Sequence, residues 1–296
     1  MLAACGGQMN LTNLSGRELM KIGMEKYDKK KYLRATEAFQ ALIFNYPGEN
    51  YVDTAQYYLA LSYFGDKSYL LAQVEFNRLL LNYPASAFAS QSQLMKAVCF
   101  FKGTPEHYGL DQTDLETAVR QFEDFIIDYP ESDAIEDARA YLADAHQRLA
   151  HKLYASGVLY MRVHDYKAAR IYFQRVIDEY TNSEFAPLAT YYTAETYLKD
   201  QDWDEAHDRF ENFKIAFADH ELADKAGELA CEAAFEGGEA ALYEGDTALA
   251  RTRFERFMTV CGSDPEQADQ AEKVKAYLAG LPAAPVAEAD STDVVP

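Results

Sequence analysis

Apolar and polar positions alternate along this chain with a helical period, and they do so in registered copies. Six times an Ala is followed four residues later by a Phe: Ala35/Phe39, Ala72/Phe76, Ala118/Phe122, Ala169/Phe173, Ala206/Phe210 and Ala250/Phe254. Residues four apart share one face of a helix, so each pair places a small and a large side chain one above the other. The small one admits a neighbouring helix closely, and the ring fills the space beside it. Seven residues after each Phe stands Tyr46, Tyr83, Tyr129, Tyr180, Phe217 or Cys261. In the first three copies the next residue is Pro47, Pro84 or Pro130; in the last three it is Thr181, Ala218 or Gly262. Proline there ends the helix and opens a turn.

A second helical segment precedes each Ala. It carries a small residue twelve positions upstream in five copies: Gly23, Ala60, Gly157, Ala194 and Gly238. In the third copy Ala97 holds this place. An aromatic stands three before the Ala at Tyr32, Tyr69, Tyr166 and Trp203. Small, aromatic, small, aromatic, proline resembles the tetratricopeptide pattern. The resemblance implies an all-α fold, a right-handed α-solenoid of about six helix pairs, five typical and one added at the C-terminal end.

The copies are unequal. The turn between Phe100 and Leu115 gains about nine residues, and 133–163 reads as one long helix. The organisation expected is a tether at 1–15, three repeats over 16–130, three over 131–265, a capping helix at 266–280 and a disordered tail at 281–296. Ser263-Asp264-Pro265 supplies the start signal for the cap.

The 296 residues carry a formal net charge of −20. A field of that sign repels phosphate backbones and excludes nucleic acid as a partner. No apolar run reaches the roughly 18–20 residues of a spanning helix. Six scattered histidines form no metal pair, and the phosphate-loop, dinucleotide and Gly-x-Ser-x-Gly motifs are missing. The expectation is a binding protein: not an enzyme, with no catalytic residue, metal or cofactor.

The four cysteines fall in three places. Leu2-Ala3-Ala4-Cys5 resembles a bacterial lipobox, which makes Cys5 the candidate lipidation site, although no charged and apolar leader precedes it. Cys231 and Cys261 fall at adjacent ends of the sixth hairpin. They read either as a disulfide, worth about 3–4 kcal/mol by loop entropy, or as two buried thiols. Cys99 stands apart from both.

A binding surface is expected on the first helix of each pair. The helical period assigns to it Arg17, Met20, Met24 and Tyr27, then Tyr57, Leu61 and Phe64, then Leu94, Val98 and Phe101. Lys21 and Lys102 stand near. Apolar walls beside cations suit an extended peptide that brings an aromatic side chain and a carboxylate. The alternative for each of these residues is packing between repeats.

The segments KYLRATEAFQALIFNYPG (31–48), YLLAQVEFNRLLLNYPAS (69–86) and 114–180, with the lipobox-like start, the third-repeat loop and the long fourth-repeat helix, resemble the BamD family of lipoproteins over about residues 2–220. Those are subunits of the outer-membrane β-barrel assembly machinery. The resemblance implies lipid on Cys5, attachment to the periplasmic face of the outer membrane, and binding of BamA-like POTRA domains through the C-terminal repeats. It also implies contact with the C-terminal peptide of unfolded barrel precursors and with other lipoproteins of the complex. Family members have five repeats, whereas 222–262 reads as a sixth. A periplasmic coordinator of the Tol–Pal and division type, or a structural tether with no substrate site, is the alternative. The Tol–Pal type shares the Tyr-Pro repeat ends but begins with a coiled coil and has no lipobox.

Overall fold

In the computed structural model, which describes residues 11–282, every regular element is a helix. In chain order these are α1 (Gly16–Asp28), α2 (Tyr32–Asn45), α3 (Val52–Gly65), α4 (Tyr69–Asn82), α5 (Ala89–Gly103), α6 (Thr113–Asp128), α7 (Ile135–Arg162), α8 (Tyr166–Glu179), α9 (Phe185–Lys199), α10 (Trp203–Ala216), α11 (Ala223–Glu244), α12 (Thr247–Val260) and α13 (Ala268–Gly280). A short 3₁₀ turn, Pro265–Gln267, precedes α13. Odd and even helices up to α12 form six hairpins, the architecture of a tetratricopeptide solenoid. The chain forms two compact units that divide within α7, after Lys152. The lipobox, with Cys5, and residues 283–296 of the tail expected to be disordered lie outside the described residues.

Each hairpin is built on one ring. The Phe side chains of the repeat, Phe39, Phe76, Phe122, Phe173, Phe210 and Phe254, are fully buried, as are the six partner Ala residues. Where the small residue of the preceding helix is Gly, the ring occupies the space of a side chain. A Cβ on Gly23, Gly157 or Gly238 would lie 2.4, 2.5 or 2.4 Å from Phe39, Phe173 or Phe254. At the other three places Ala60, Ala97 and Ala194 are fully buried.

The opposite side of the ring is covered by the next hairpin. Tyr58 stacks on Phe39 at 6.1 Å, Tyr141 on Phe122 at 5.6 Å and Tyr192 on Phe173 at 6.0 Å. Met95 and Leu229 hold the equivalent position in the clusters around Phe76 and Phe210. For the last ring, Phe254, α13 provides Tyr277 at 5.1 Å.

The turns within hairpins share a device the sequence did not announce. Lys30, Lys67, His164, Gln201 and Gly245 all have left-handed φ, between 55° and 82°. Each lies five residues before its repeat Ala. Each closes its helix with paired backbone bonds, such as Gln201 N–H to the Leu198 carbonyl at 3.1 Å and Asp202 N–H to Tyr197 at 3.0 Å. This is the Schellman arrangement. The third hairpin has its inserted loop instead. There Gln112, buried, donates to the Pro105 and His107 carbonyls, and Arg148 donates to Phe101, Thr104 and Pro105.

The turns between hairpins all close the same way. Tyr46, Tyr83, Tyr129, Tyr180, Phe217 and Cys261 each accept from the N–H three residues on, whether or not Pro follows. Proline therefore presets a turn that the later repeats make without it.

The two readings of Cys231 and Cys261 resolve to a bridge. Their sulfurs are bonded, with Cα atoms 5.9 Å apart, joining the first half of α11 to the end of α12. Cys99 is a buried free thiol, and burial pushes its pKa up to about 12. Arg251 donates to the carbonyls of Leu278, Leu281 and Pro282, closing the end of α13.

Two outcomes follow from these turns and this bridge. A non-glycine residue in the left-handed region carries about 1 kcal/mol of strain that glycine does not. Gln201→Gly and Lys67→Gly should each raise stability by up to about 1 kcal/mol in urea unfolding, and Gly245→Ala should lower it by about as much. A fall in stability for Gln201→Gly would show that its side chain matters more than its backbone. Reducing the disulfide should remove about 3 kcal/mol from the last hairpin first. Hydrogen exchange should then quicken in α11–α13 while α8 stays protected; uniform quickening would contradict a local role.

Candidate functional site

The ten residues assigned to a binding surface lie on three helices of the N-terminal unit: α1, α3 and α5. The structure splits them. Arg17 is exposed, and Met20, Met24, Tyr27, Leu61 and Phe64 are half-buried. Tyr57, Leu94, Val98 and Phe101 are buried, at 6, 4, 2 and 3% exposure. These four are corrected from binding wall to core.

The reason lies in what surrounds them. Tyr57 is three residues before Ala60, which points it into its own hairpin. Its ring stacks on Phe88 at 4.5 Å and meets Phe76 at 6.0 Å. Burial pushes its phenol up to about 12. Phe101 is enclosed by Phe122, Tyr141 and the Arg148 guanidinium, 5.0 Å from its centroid. Lys102 also lies over the rings of Phe101 and Tyr141, at 5.3 and 5.8 Å. It is therefore engaged with the α5–α7 contact.

What stays accessible is a shorter surface. Met20, Met24 and Tyr27 follow one face of α1 at spacings of four and three, and pack partly on the first core cluster. Tyr27 meets Tyr58 edge-on at 5.2 Å. Leu61 and Phe64 continue along α3 over the second cluster, with Phe64 against Tyr69 at 5.3 Å. Arg17 and Lys21 are exposed on α1 beside this stripe. Methionine and aromatic side chains at partial exposure offer an adaptable apolar surface, and the two cations give it polarity at one end. Tyr58 belongs with these residues and was missed. Its signal was the doublet Tyr57-Tyr58, in which only one ring can face the home hairpin.

A cavity of about 510 Å³ in the same unit opens elsewhere, between Lys67, Tyr69, Leu70, Phe100 and Asp114. None of the ten lines it. Among the described residues no cluster of His, Cys, Asp and Glu could hold a metal ion, and no helix is long and apolar enough to cross a membrane.

Solved tetratricopeptide repeat structures are among the proteins this chain is similar to. The TPR2AB domain of yeast Sti1 is 13% identical, over 89% of this chain and 97% of that one, with a TM-score of 0.40. A tetratricopeptide repeat protein of Parabacteroides merdae is 14% identical over 88% and 98%, with a TM-score of 0.33. A repeat protein of Bacteroides fragilis is 12% identical over 88% and 98%, at 0.37. At these scores the overlays add nothing to the helix pairing seen directly. Comparison with curated proteins finds no match. The family model YfiO, described as outer membrane lipoprotein, matches residues 13–190, more than half of the chain. That span holds α1 to α8 and the start of α9, including the third-repeat loop, the long helix and all ten predicted surface residues. The chain therefore belongs to the YfiO family of outer membrane lipoproteins, the family that the BamD resemblance pointed to.

Proposed function

We propose that this protein is a lipid-anchored periplasmic scaffold of the machinery that assembles outer-membrane β-barrels. Cys5 carries the lipid. The accessible stripe on α1 and α3 takes the C-terminal region of an unfolded barrel precursor, and the C-terminal repeats take the POTRA domains of the barrel-assembly subunit. The observation that carries the reading is the joint presence of family membership over 13–190 and a half-exposed apolar stripe within that span. Met20, Met24 and Phe64 pack on the core with one side and stay half-exposed on the other, so a partner can cover them without opening the core.

The stripe suits an extended peptide with an aromatic end. Leu61 and Phe64 supply apolar contact, and Arg17 and Lys21 supply positive charge for a carboxylate. The acidic balance of the chain does not oppose this, because screening confines charge effects to about 8 Å at physiological salt.

Leu61→Ala with Phe64→Ala should weaken binding of a barrel C-terminal peptide by about tenfold or more, on the scale of an interface anchor. Leu70→Ala, on the exposed face of α4, should leave it unchanged. Equal affinity for the doubly substituted and parent proteins would reject the stripe as the peptide site. Mass measurement of Cys5 from native membranes tests the anchor. Co-purification tests the partner: a POTRA-bearing subunit supports the assembly reading, and a Tol component in its place overturns it.

A further inference from the structure

A cavity of about 410 Å³ opens in the C-terminal unit between α8, α9 and α10. Its lining includes Arg170 and Arg175 from α8, Thr193 and Tyr197 from α9, and Arg209 from α10, with Ile171 at the edge. Three arginines thus line one cavity in a chain of net charge −20, and no acidic side chain lines it.

The arginines are held in place. The guanidinium of Arg170 lies 4.3 Å from the centre of the Tyr197 ring and that of Arg209 lies 4.8 Å from it. A ring face attracts cations, so Tyr197 holds two like charges at one place. Carboxylates fix the arginines from outside the cavity. Asp200 accepts from Arg170 at 2.6 Å, and Glu179 accepts from Arg175 through Nε and Nη2 at 2.9 and 3.1 Å. Glu205 accepts from Arg209 through Nε alone, at 2.7 Å.

The last contact sets Arg209 apart. Its Nε is used, and among the described residues Nη1 and Nη2 make no hydrogen bond. Those two groups form the outer fork that grips a carboxylate in two parallel bonds. Ile171, 63% exposed, lines the same cavity and offers an apolar contact.

We propose that this cavity is a second peptide site, one that takes an acidic side chain and the apolar side chain next to it from a partner polypeptide. Arg209 grips the carboxylate with its unused fork, Arg170 and Arg175, paired with Asp200 and Glu179, form the walls, and Ile171 covers the apolar neighbour. The site is separate from the stripe on α1 and α3 and stands whether or not that stripe binds precursors.

The test uses the full chain and a fluorescein-labelled peptide of four Asp-Leu repeats, read by anisotropy. An Asn-Leu peptide of equal length is the neutral control. At about 0.15 M salt, distant charges of the chain are screened and the local arginines decide the outcome. The acidic peptide should bind at least about tenfold more tightly than the neutral one, on the scale of charge-assisted bidentate pairs. Arg209→Gln should remove most of that preference. Arg209→Lys should remove much of it too, because lysine keeps the charge but lacks the fork. Arg120→Gln, on α6, should change nothing. Circular dichroism checks that the helices persist. If Arg209→Gln does not fold, Tyr197→Leu replaces it with the same expectation. Equal binding of the two peptides, or an unchanged preference in Arg209→Gln, overturns the proposal. So does full displacement of the peptide by millimolar inorganic phosphate, which would make the cavity a small-anion site.

Discussion

The structure depends on a ring held from two sides. In five of the six hairpins the Phe follows the small residue of its own first helix by sixteen positions; in the third the interval is twenty-five. Most of the extra residues lie in the 104–112 loop, which stands where the second hairpin has the short turn 66–68, and the rest lengthen α5 and α6, so the ring contact is kept and the connection absorbs the difference. On the far side, Tyr58, Tyr141 and Tyr192 each lie nineteen residues after the Phe they cover. One interval builds the hairpin and the other adds the next hairpin to it. A side chain at Gly23, Gly157 or Gly238 would break both at once, because the ring has nowhere else to go in a close-packed core.

That constraint decides which residues remain for binding. The first helices of interior hairpins are packed on nearly every side. In α3, Val52, Ala55, Gln56, Tyr57, Leu59, Ala60 and Ser62 are all buried, and they do not fall on one face. Helical periodicity separates inside from outside only where one face meets water. Tyr57, Leu94, Val98 and Phe101 follow the same period as accessible positions would, and so they were read as binding wall. Leu61 and Phe64 hold the places that Val98 and Phe101 hold one repeat later; they stay half-exposed, whereas Phe101 is covered by Tyr141 and Arg148 of α7.

The legible features are those the chain repeats. Six Ala-x-x-x-Phe pairs, the Tyr-Pro ends, the inserted loop and the long α7 were plain because register multiplies a weak local signal. The left-handed turn residues were not. Lys30, Lys67, His164 and Gln201 occupy a position where glycine would have been the signal, and Gly245 alone carries it. Nor was the arginine cavity legible. Arg170, Tyr197 and Arg209 come from three helices at no fixed spacing, and charges at helical intervals in sequence look like solvated faces. Tertiary packing alone shows that Tyr197 gathers two of them.

The two ends of the repeat array face the same problem and meet it differently. A repeat buries its apolar face only against neighbours, so a terminal one needs a substitute. At the C-terminal end three substitutes converge. Tyr277 of α13 covers Phe254, the disulfide ties α11 to α12, and Arg251 closes the end of α13. Before α1, among the described residues, only Leu11 and Leu14 pack on the first core cluster. Met20, Met24 and Tyr27 are left half-exposed on a helix whose own ring contact, Gly23 on Phe39, is complete. An end that is folded but not covered is where a partner gains most from burying apolar surface. Among the described residues no further helix covers that end, and the stripe proposed for the peptide begins there, on α1.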